Sequence, residues 1–185
     1  LGIPLPFNPI QLIVLELFMD LAASATFIAE PAEKNIMNKP PLDPHEKFMD
    51  RSMLTNIMLG ALSLFAAVSI TYLFTWFSNT NLADQNSRLL LSQTVAFATW
   101  MFGHIFLAFN FRSKKEPLIR LGIFSNKIMI LWAVVAIGTL LVGTSLPIVN
   151  LSLRVTNLSP VYWVLVIGVA FVATFWLELK KFLRL

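Results

Sequence analysis

The stretch LIVLELFMDLAASATFIAEP, residues 12–31, places two carboxylates, Glu16 and Asp20, inside an apolar run. Residues four apart on a helix share a face, with Cβ atoms about 5–6 Å apart. The two side chains are therefore expected to point the same way, and Ser24 continues the row. A charged residue at the centre of a bilayer costs about 2.5–3.5 kcal/mol on insertion scales, so a membrane helix keeps such a pair only where the carboxylates meet a partner.

Three kinds of partner could stabilise this pair. With a proton, the two carboxyls would titrate together, one of them held neutral. A metal cation bound by oxygen ligands is the second partner, and both of these fit an ion pathway. The third is structural: a Lys or Arg from a neighbouring helix, or simple protonation and packing. The other apolar spans of the chain contain no Lys or Arg, so the spacing favours the ion pathway.

His104 is the further candidate ligand, at depth in a later apolar span. One stripe of that span mixes polar and small side chains at helical spacing: Gln93, Ala96, Trp100, His104 and Leu107. His104 could line the same cavity as the two carboxylates, or it could hydrogen-bond to a neighbouring helix, as single buried polar residues often do in membranes. The sequence leaves both interpretations open.

The composition predicts the environment of these residues. Of 185 residues, 57% are hydrophobic and 13% are charged, and the mean hydropathy is +0.73, whereas soluble domains average about 45–50% apolar and about 25% charged. A helix needs about 20 mostly apolar residues to cross a bilayer. We therefore expect an all-α, polytopic membrane helix bundle, one transmembrane domain over residues 1–185, with five spans at about 9–28, 54–77, 89–111, 128–149 and 162–179.

The basic residues predict the orientation. Most of the 14 Lys and Arg residues fall in the loops 29–53 and 112–127 and in the C-terminal tail. Positive loops stay on the cytoplasmic side, so we expect the N-terminus outside and the C-terminus in the cytoplasm. The net charge of +4 is explained by this placement and predicts no nucleic-acid partner. The chain has no cysteine, which excludes disulfides, zinc–thiolate sites and thiol catalysis.

Residues 4–44, PLPFNPIQLIVLELFMDLAASATFIAEPAEKNIMNKPPLDP, resemble the sixth transmembrane helix and the following cytoplasmic loop of P-type cation-transporting ATPases, nearest the calcium-pump branch and its bacterial members. The matching features are NPIQL, the acidic LELFMD and a loop of the form P-x5-M-N-K-P-P. TVAFATWMFGHIFLAFNFRS, residues 94–113, is similar to the family's eighth helix, and RLGIFSNK, residues 120–127, to its loop into the ninth. The resemblance extends over all five spans.

This resemblance implies that the chain is the C-terminal transmembrane segment, helices six to ten, of a ten-helix pump. By position, Glu16 and Asp20 match the cation ligands of the sixth helix, and His104 stands where calcium pumps carry an acidic ligand on the eighth. Glu16 and Met19 replace the usual Asn and Thr, and the Gly and Pro that unwind the helix after the key Asp are absent. These departures favour one cation, or protons, over two calcium ions.

The resemblance also implies what lies outside these residues. No cofactor is expected within them. The transported cation would be Ca²⁺, another cation or H⁺, and Mg-ATP would bind in cytoplasmic phosphorylation and nucleotide domains. Because the D-K-T-G-T motif is missing, this segment alone is not expected to hydrolyse ATP, whereas the parent would be a translocase. The expected partners are the lipid bilayer, the remaining transmembrane helices and those domains, in a bacterial or archaeal plasma membrane.

Two other functions remain open from the residues themselves. A proton-coupled secondary transporter could use the same carboxylate pair as a proton relay, and inverted repeats with broken helices would favour it. The sequence shows no pair of Gly- or Pro-interrupted spans in matching positions. A non-transporting membrane assembly subunit could instead use the carboxylates to bridge to another chain.

Overall fold

The protein is described by a computed structural model that covers residues 2–32, 37, 51–80, 84–113 and 116–183, and over these residues it is all-helical. Five helices are long and apolar enough to cross a membrane, which confirms the expected all-α class and the number of spans. They are Pro9–Ile28, Arg51–Ser78, Gln85–Asn110, Lys127–Ser145 and Pro160–Leu183. The orientation across the membrane stays a prediction. Most of the predicted loop 29–53 lies outside the described residues.

The first span, Pro9–Ile28, is a compound helix. It consists of α1 (Pro9–Val14), a π-helical segment (Leu15–Leu21) and α2 (Ala22–Ile28). Asn8 caps its start: the Asn8 side chain accepts from the Gln11 amide, and the Gln11 side chain accepts from the Asn8 amide. This reciprocal pair satisfies two of the donors that every helix start leaves free.

The centre of the bundle is α4 (Gln85–Asn110), the most buried of the five spans. It packs against both α3 (Arg51–Ser78) and α8 (Pro160–Leu183), which also contact each other. Small residues along it, including Ala96, Ala98 and Gly103, let the neighbouring helices approach closely. The Thr99 hydroxyl donates to the Thr71 hydroxyl at 3.0 Å, which adds a buried hydrogen bond between α4 and α3.

The fourth span is shorter than the sequence predicts. After the short helix α5 (Leu118–Leu121), the helix of this span, α6 (Lys127–Ser145), begins at the Asn126 cap. It ends before Leu146, which is extended, rather than continuing to residue 149. Pro147 then starts a separate short helix, α7 (Pro147–Leu153). Proline has no amide hydrogen and disfavours an α conformation in the residue before it, so the helix stops there and restarts with proline in its first turn.

The first span presents one face to this bundle and leaves the other uncovered by the described residues. Leu15, Met19 and Ala23 are buried in the main core cluster, together with residues of α4 and α6. Leu17 and Leu21, on the opposite side, are more than half exposed. The direction in which Glu16 and Asp20 point therefore depends on where they lie relative to this buried face.

Candidate functional site

Asp20 and His104 meet across two helices. The Nε2 atom of His104, on α4, lies 3.5 Å from Oδ1 of Asp20, in the π segment of the first span. The His104 side chain is 24% exposed and that of Asp20 is 57% exposed. This distance is longer than a usual hydrogen bond, so the two groups are adjacent rather than tightly bonded. The structure therefore brings together two of the three residues predicted from the sequence.

Both residues line a cleft of about 570 Å³ between the first span, α3 and α4. Ser24, one turn after Asp20, is on its wall, as are Trp100 and Leu107 from the predicted stripe of α4. The rest of the wall is apolar. Asp20 and His104 are the ionisable residues among the described residues that line this cleft.

Glu16 lies apart from this pair. It is on the exposed side of the π segment, one turn before Asp20, and is not among the residues that line the cleft. Over the described residues, no three His, Asp or Glu side chains come close enough together to hold a metal ion. Among the described residues, Asp20 and His104 are thus adjacent, whereas Glu16 lies on the exposed side of the first span.

Two polar atoms near the cleft have unused hydrogen-bonding capacity. Among the described residues, His104 Nδ1 and Trp100 Nε1 are both shielded from solvent and without a hydrogen-bond partner. Buried polar groups are nearly always paired in folded proteins, and an exception indicates a place where a further group binds. The indole N–H can only donate, so a partner there would be a hydrogen-bond acceptor.

The cytoplasm-facing end of the first span, in the predicted orientation, is held by a buried ion pair. The Arg112 side chain is fully buried just after α4, and its guanidinium donates to the Glu30 carboxylate at 2.7 and 3.0 Å. It also donates to the carbonyl of Gly122 at 3.1 Å. Asn126, the cap of α6, donates to both Glu30 and the Thr26 carbonyl. Three elements therefore meet at one carboxylate.

The protonation of Glu30 reflects these contacts. Burial disfavours the charged form of the carboxyl, but hydrogen bonds from Arg112 and Asn126 and the positive charge of Arg112 outweigh it. The net effect lowers the pKa of Glu30 below its ordinary value of 4.5. Glu30 is therefore ionised at neutral pH and pairs with Arg112 as a carboxylate.

The other end of the first span is held by its cap. The side-chain amides of Asn8 and Gln11 donate to the carbonyl of Arg154 at 3.3 and 3.1 Å. Arg154 follows α7 in the left-handed region, with φ 49°. Both ends of the first span are thus attached to the bundle by hydrogen bonds, and the carboxylates lie between them.

Comparison with known proteins shows the family of this chain. A protein-family model described as "Cation transporting ATPase, C-terminus" matches residues 4–183. The chain belongs to this family, as the C-terminal transmembrane domain of a P-type cation-transporting ATPase. The resemblance is thus confirmed, and the chain is part of an integral, multi-pass membrane protein.

This transmembrane domain is similar to transport ATPases from several groups of organisms. It is 27% identical over 176 residues to the calcium-transporting ATPase of Bacillus subtilis, covering 95% of this chain and 19% of the relative. It is 26% identical over 173 residues to the probable cation-transporting ATPase F of Mycobacterium tuberculosis, covering 91% and 18%. It is 28% identical over 168 residues to the plasma membrane-type calcium-transporting ATPase 5 of rice, covering 90% and 15%. The chain thus spans less than a fifth of these relatives. They come from bacteria and eukaryotes, so a bacterial or archaeal membrane stays a prediction.

The sequence does not identify three residues of this transmembrane domain that hold the first span in place. Arg112 was interpreted as an orientation charge of a loop, yet it is buried, and Glu30 was not singled out. A signal was available: each lies within two residues of the end of a predicted span, and buried opposite charges at span ends are expected to pair. Trp132, on α6, donates its indole N–H to the Phe18 carbonyl at 3.2 Å. No local pattern in the sequence pointed to that contact.

Proposed function

We propose that these residues form part of the membrane domain of an ATP-driven pump of the calcium type, and that Asp20, Glu16 and His104 contribute to the site where the transported cation binds. The observation that carries this proposal is the Asp20–His104 pair in a largely apolar cleft between three spans. Carboxylates at membrane depth mark ion pathways more often than other roles. Family membership favours a pump over a secondary transporter or an assembly subunit.

The ligand chemistry favours one cation. Ca²⁺ takes six to eight oxygen ligands, and Asp20 and Glu16 together offer four carboxylate oxygens. The remaining oxygens would come from parts of the pump outside these residues, on the side toward which Glu16 points. His104 offers nitrogen rather than oxygen. It therefore suits one Ca²⁺ held mainly by the carboxylates, a softer divalent cation, or H⁺, better than a pair of Ca²⁺ ions.

The transport step would be alternating access. Mg-ATP would phosphorylate a cytoplasmic domain outside these residues, and the resulting movement would expose the site to each side in turn. In the predicted orientation, Glu30 and Arg112 lie at the cytoplasmic end of the domain. The loop from Glu30 to Met53 would contact the phosphorylation domain, and this segment alone would not hydrolyse ATP.

The test uses the full-length pump that carries this segment. Phosphoenzyme formed from ATP is measured against Ca²⁺, Mn²⁺, Na⁺ and K⁺ at fixed Mg²⁺, and across pH. Asp20→Asn and Glu16→Gln should each raise the half-maximal concentration of the activating cation by roughly tenfold or more, on the scale of a lost charge-assisted contact. Glu116→Gln is the matched control, because Glu116 is an exposed carboxylate outside the spans. Unchanged cation dependence in both site variants would remove them from the site.

A further inference from the structure

The backbone of the first span leaves one carbonyl to be satisfied from outside. In a π-helix each amide donates five residues back, whereas in an α-helix it donates four residues back. Where a π segment returns to α, one carbonyl is consequently skipped. The π segment ends at Leu21. At this junction the amide of Ala22 donates to the Met19 carbonyl, three residues back, and not to Phe18, its α-helical acceptor. The carbonyl that loses its α-helical donor is therefore that of Phe18.

A donor from another helix reaches this carbonyl. Trp132, on α6, is 6% exposed, and its indole N–H donates to the Phe18 oxygen at 3.2 Å. The indole belongs to the same buried cluster as Met19 and Ala23, which flank the junction. In an apolar environment a backbone carbonyl without a donor is costly. The Trp132 N–H thus stabilises the π segment relative to a regular α-helix.

The register of this segment sets the direction of the carboxylates. An α-helix turns by about 100° per residue, so gaining or losing one residue of register rotates a side chain by about that angle. Asn8 and Gln11 attach one end of the span to Arg154, and Glu30 attaches the other end to Arg112. With both ends attached, a change of register must be absorbed between them, in the segment that carries Glu16 and Asp20.

We propose that Trp132 is a positioning residue for the cation site: by donating to Phe18 it holds the π segment, and the π segment holds Asp20 beside His104. This inference rests on the proposed function, because it assumes that Asp20 binds the cation. Trp132 itself does not touch the cation. Its effect is on where Asp20 lies.

The test measures the cation dependence of phosphoenzyme formation in the full-length pump. Trp132→Phe keeps an aromatic ring and removes the N–H. It should raise the half-maximal cation concentration by roughly tenfold, the scale of one hydrogen bond, with the ATP dependence unchanged. Trp176→Phe is the matched control, since it removes an indole N–H that donates to Ser63, between α3 and α8 and away from the site. Trp132→Leu is a second donor-free variant should Trp132→Phe not accumulate.

A double substitution separates positioning from general damage. In an Asp20→Asn background, Trp132→Phe should cause no further change in the cation dependence, because the group it positions is already gone. A merely structural role would weaken cation binding equally in both backgrounds and would overturn the inference. Unchanged cation dependence in Trp132→Phe, with a shift in Asp20→Asn, would also overturn it and leave the proposed function standing. No shift in Asp20→Asn itself would overturn the proposed function.

Discussion

Replacing Arg112 by methionine should loosen the attachment of the first span to the bundle. The Arg112 side chain is fully buried and that of Glu30 is 20% exposed. Removing one partner of a buried ion pair costs about 3–5 kcal/mol, because the other charge is left uncompensated. Glu30 keeps the Asn126 hydrogen bond and some contact with solvent, so the lower limit applies, ~3 kcal/mol. That loss corresponds to roughly a hundredfold increase in local opening.

Local opening can be measured by cysteine labelling of the full-length protein in a cysteine-free background. Met129→Cys is a suitable probe, because residue 129 is 0% exposed and lies in the first turn of α6, next to the Asn126 cap. When closing is faster than labelling, the labelling rate follows the equilibrium population of the open form. Arg112→Met in this background should therefore label roughly a hundredfold faster than the background alone.

The double substitution Glu30→Gln with Arg112→Met tests the cause. If the cost comes from the stranded Glu30 charge, the double variant should label more slowly than the Arg112→Met single variant. Equal labelling of Arg112→Met and the background would show that the ion pair does not hold the span. A double variant that labels faster than either single variant would refute the reasoning from uncompensated charge.

Two further predictions concern packing and pH. Gly103→Ala should lower the thermal inactivation temperature of the full-length protein, because the added Cβ would overlap Leu64 Cδ1 and overpacking costs about 1–3 kcal/mol. Gly138→Ala is the control, because its Cβ would meet nothing within 4 Å, and it should leave that temperature unchanged or raise it. An equal loss of inactivation temperature in the two variants would contradict the packing argument. Glu30→Gln should flatten the loss of stability in acid. Because the pKa of Glu30 in the folded protein lies below its ordinary 4.5, the ion pair contributes stability that is complete above about pH 4.5 and is lost as the pH falls through the folded-state pKa. The free energy of unfolding, measured between pH 3 and pH 6 (about the range of carboxyl titration), should depend less steeply on pH in the variant than in the unsubstituted protein. The same pH dependence in both would contradict the assignment.

The five spans could be predicted because length and hydropathy alone decide whether a helix can cross a bilayer. The ends were less accurate, since they depend on local backbone chemistry. The predicted fourth span ran to residue 149, but Pro147 cannot continue the helix, so α6 ends at Ser145. The third begins at Gln85, before the predicted residue 89, because Asp84 caps it through the amides of Asn86 and Ser87.

The site was only partly predictable, because spacing along one helix does not show which side meets the bundle. Spacing predicted that Glu16 and Asp20 point the same way, and the stripe on α4 left open whether His104 lines a cavity with them. In the structure His104 lines a cleft with Asp20. Glu16 lies outside that cavity. The π segment could not be predicted, since no glycine or proline marks it and its skipped carbonyl is satisfied by a residue 114 positions away.

The central claim is that the carboxylates of the first span bind the transported cation, and equilibrium binding tests it most directly. Radiolabelled Ca²⁺ bound per purified full-length pump would be measured in three proteins. These are the unsubstituted pump (the parent), the double variant Asp20→Asn with Glu16→Gln, and the control variant Glu116→Gln. We predict that the double variant loses bound Ca²⁺ at concentrations that saturate the parent, while the control binds as the parent does. The same amount of Ca²⁺ bound with the same affinity by the parent and the double variant would contradict the claim.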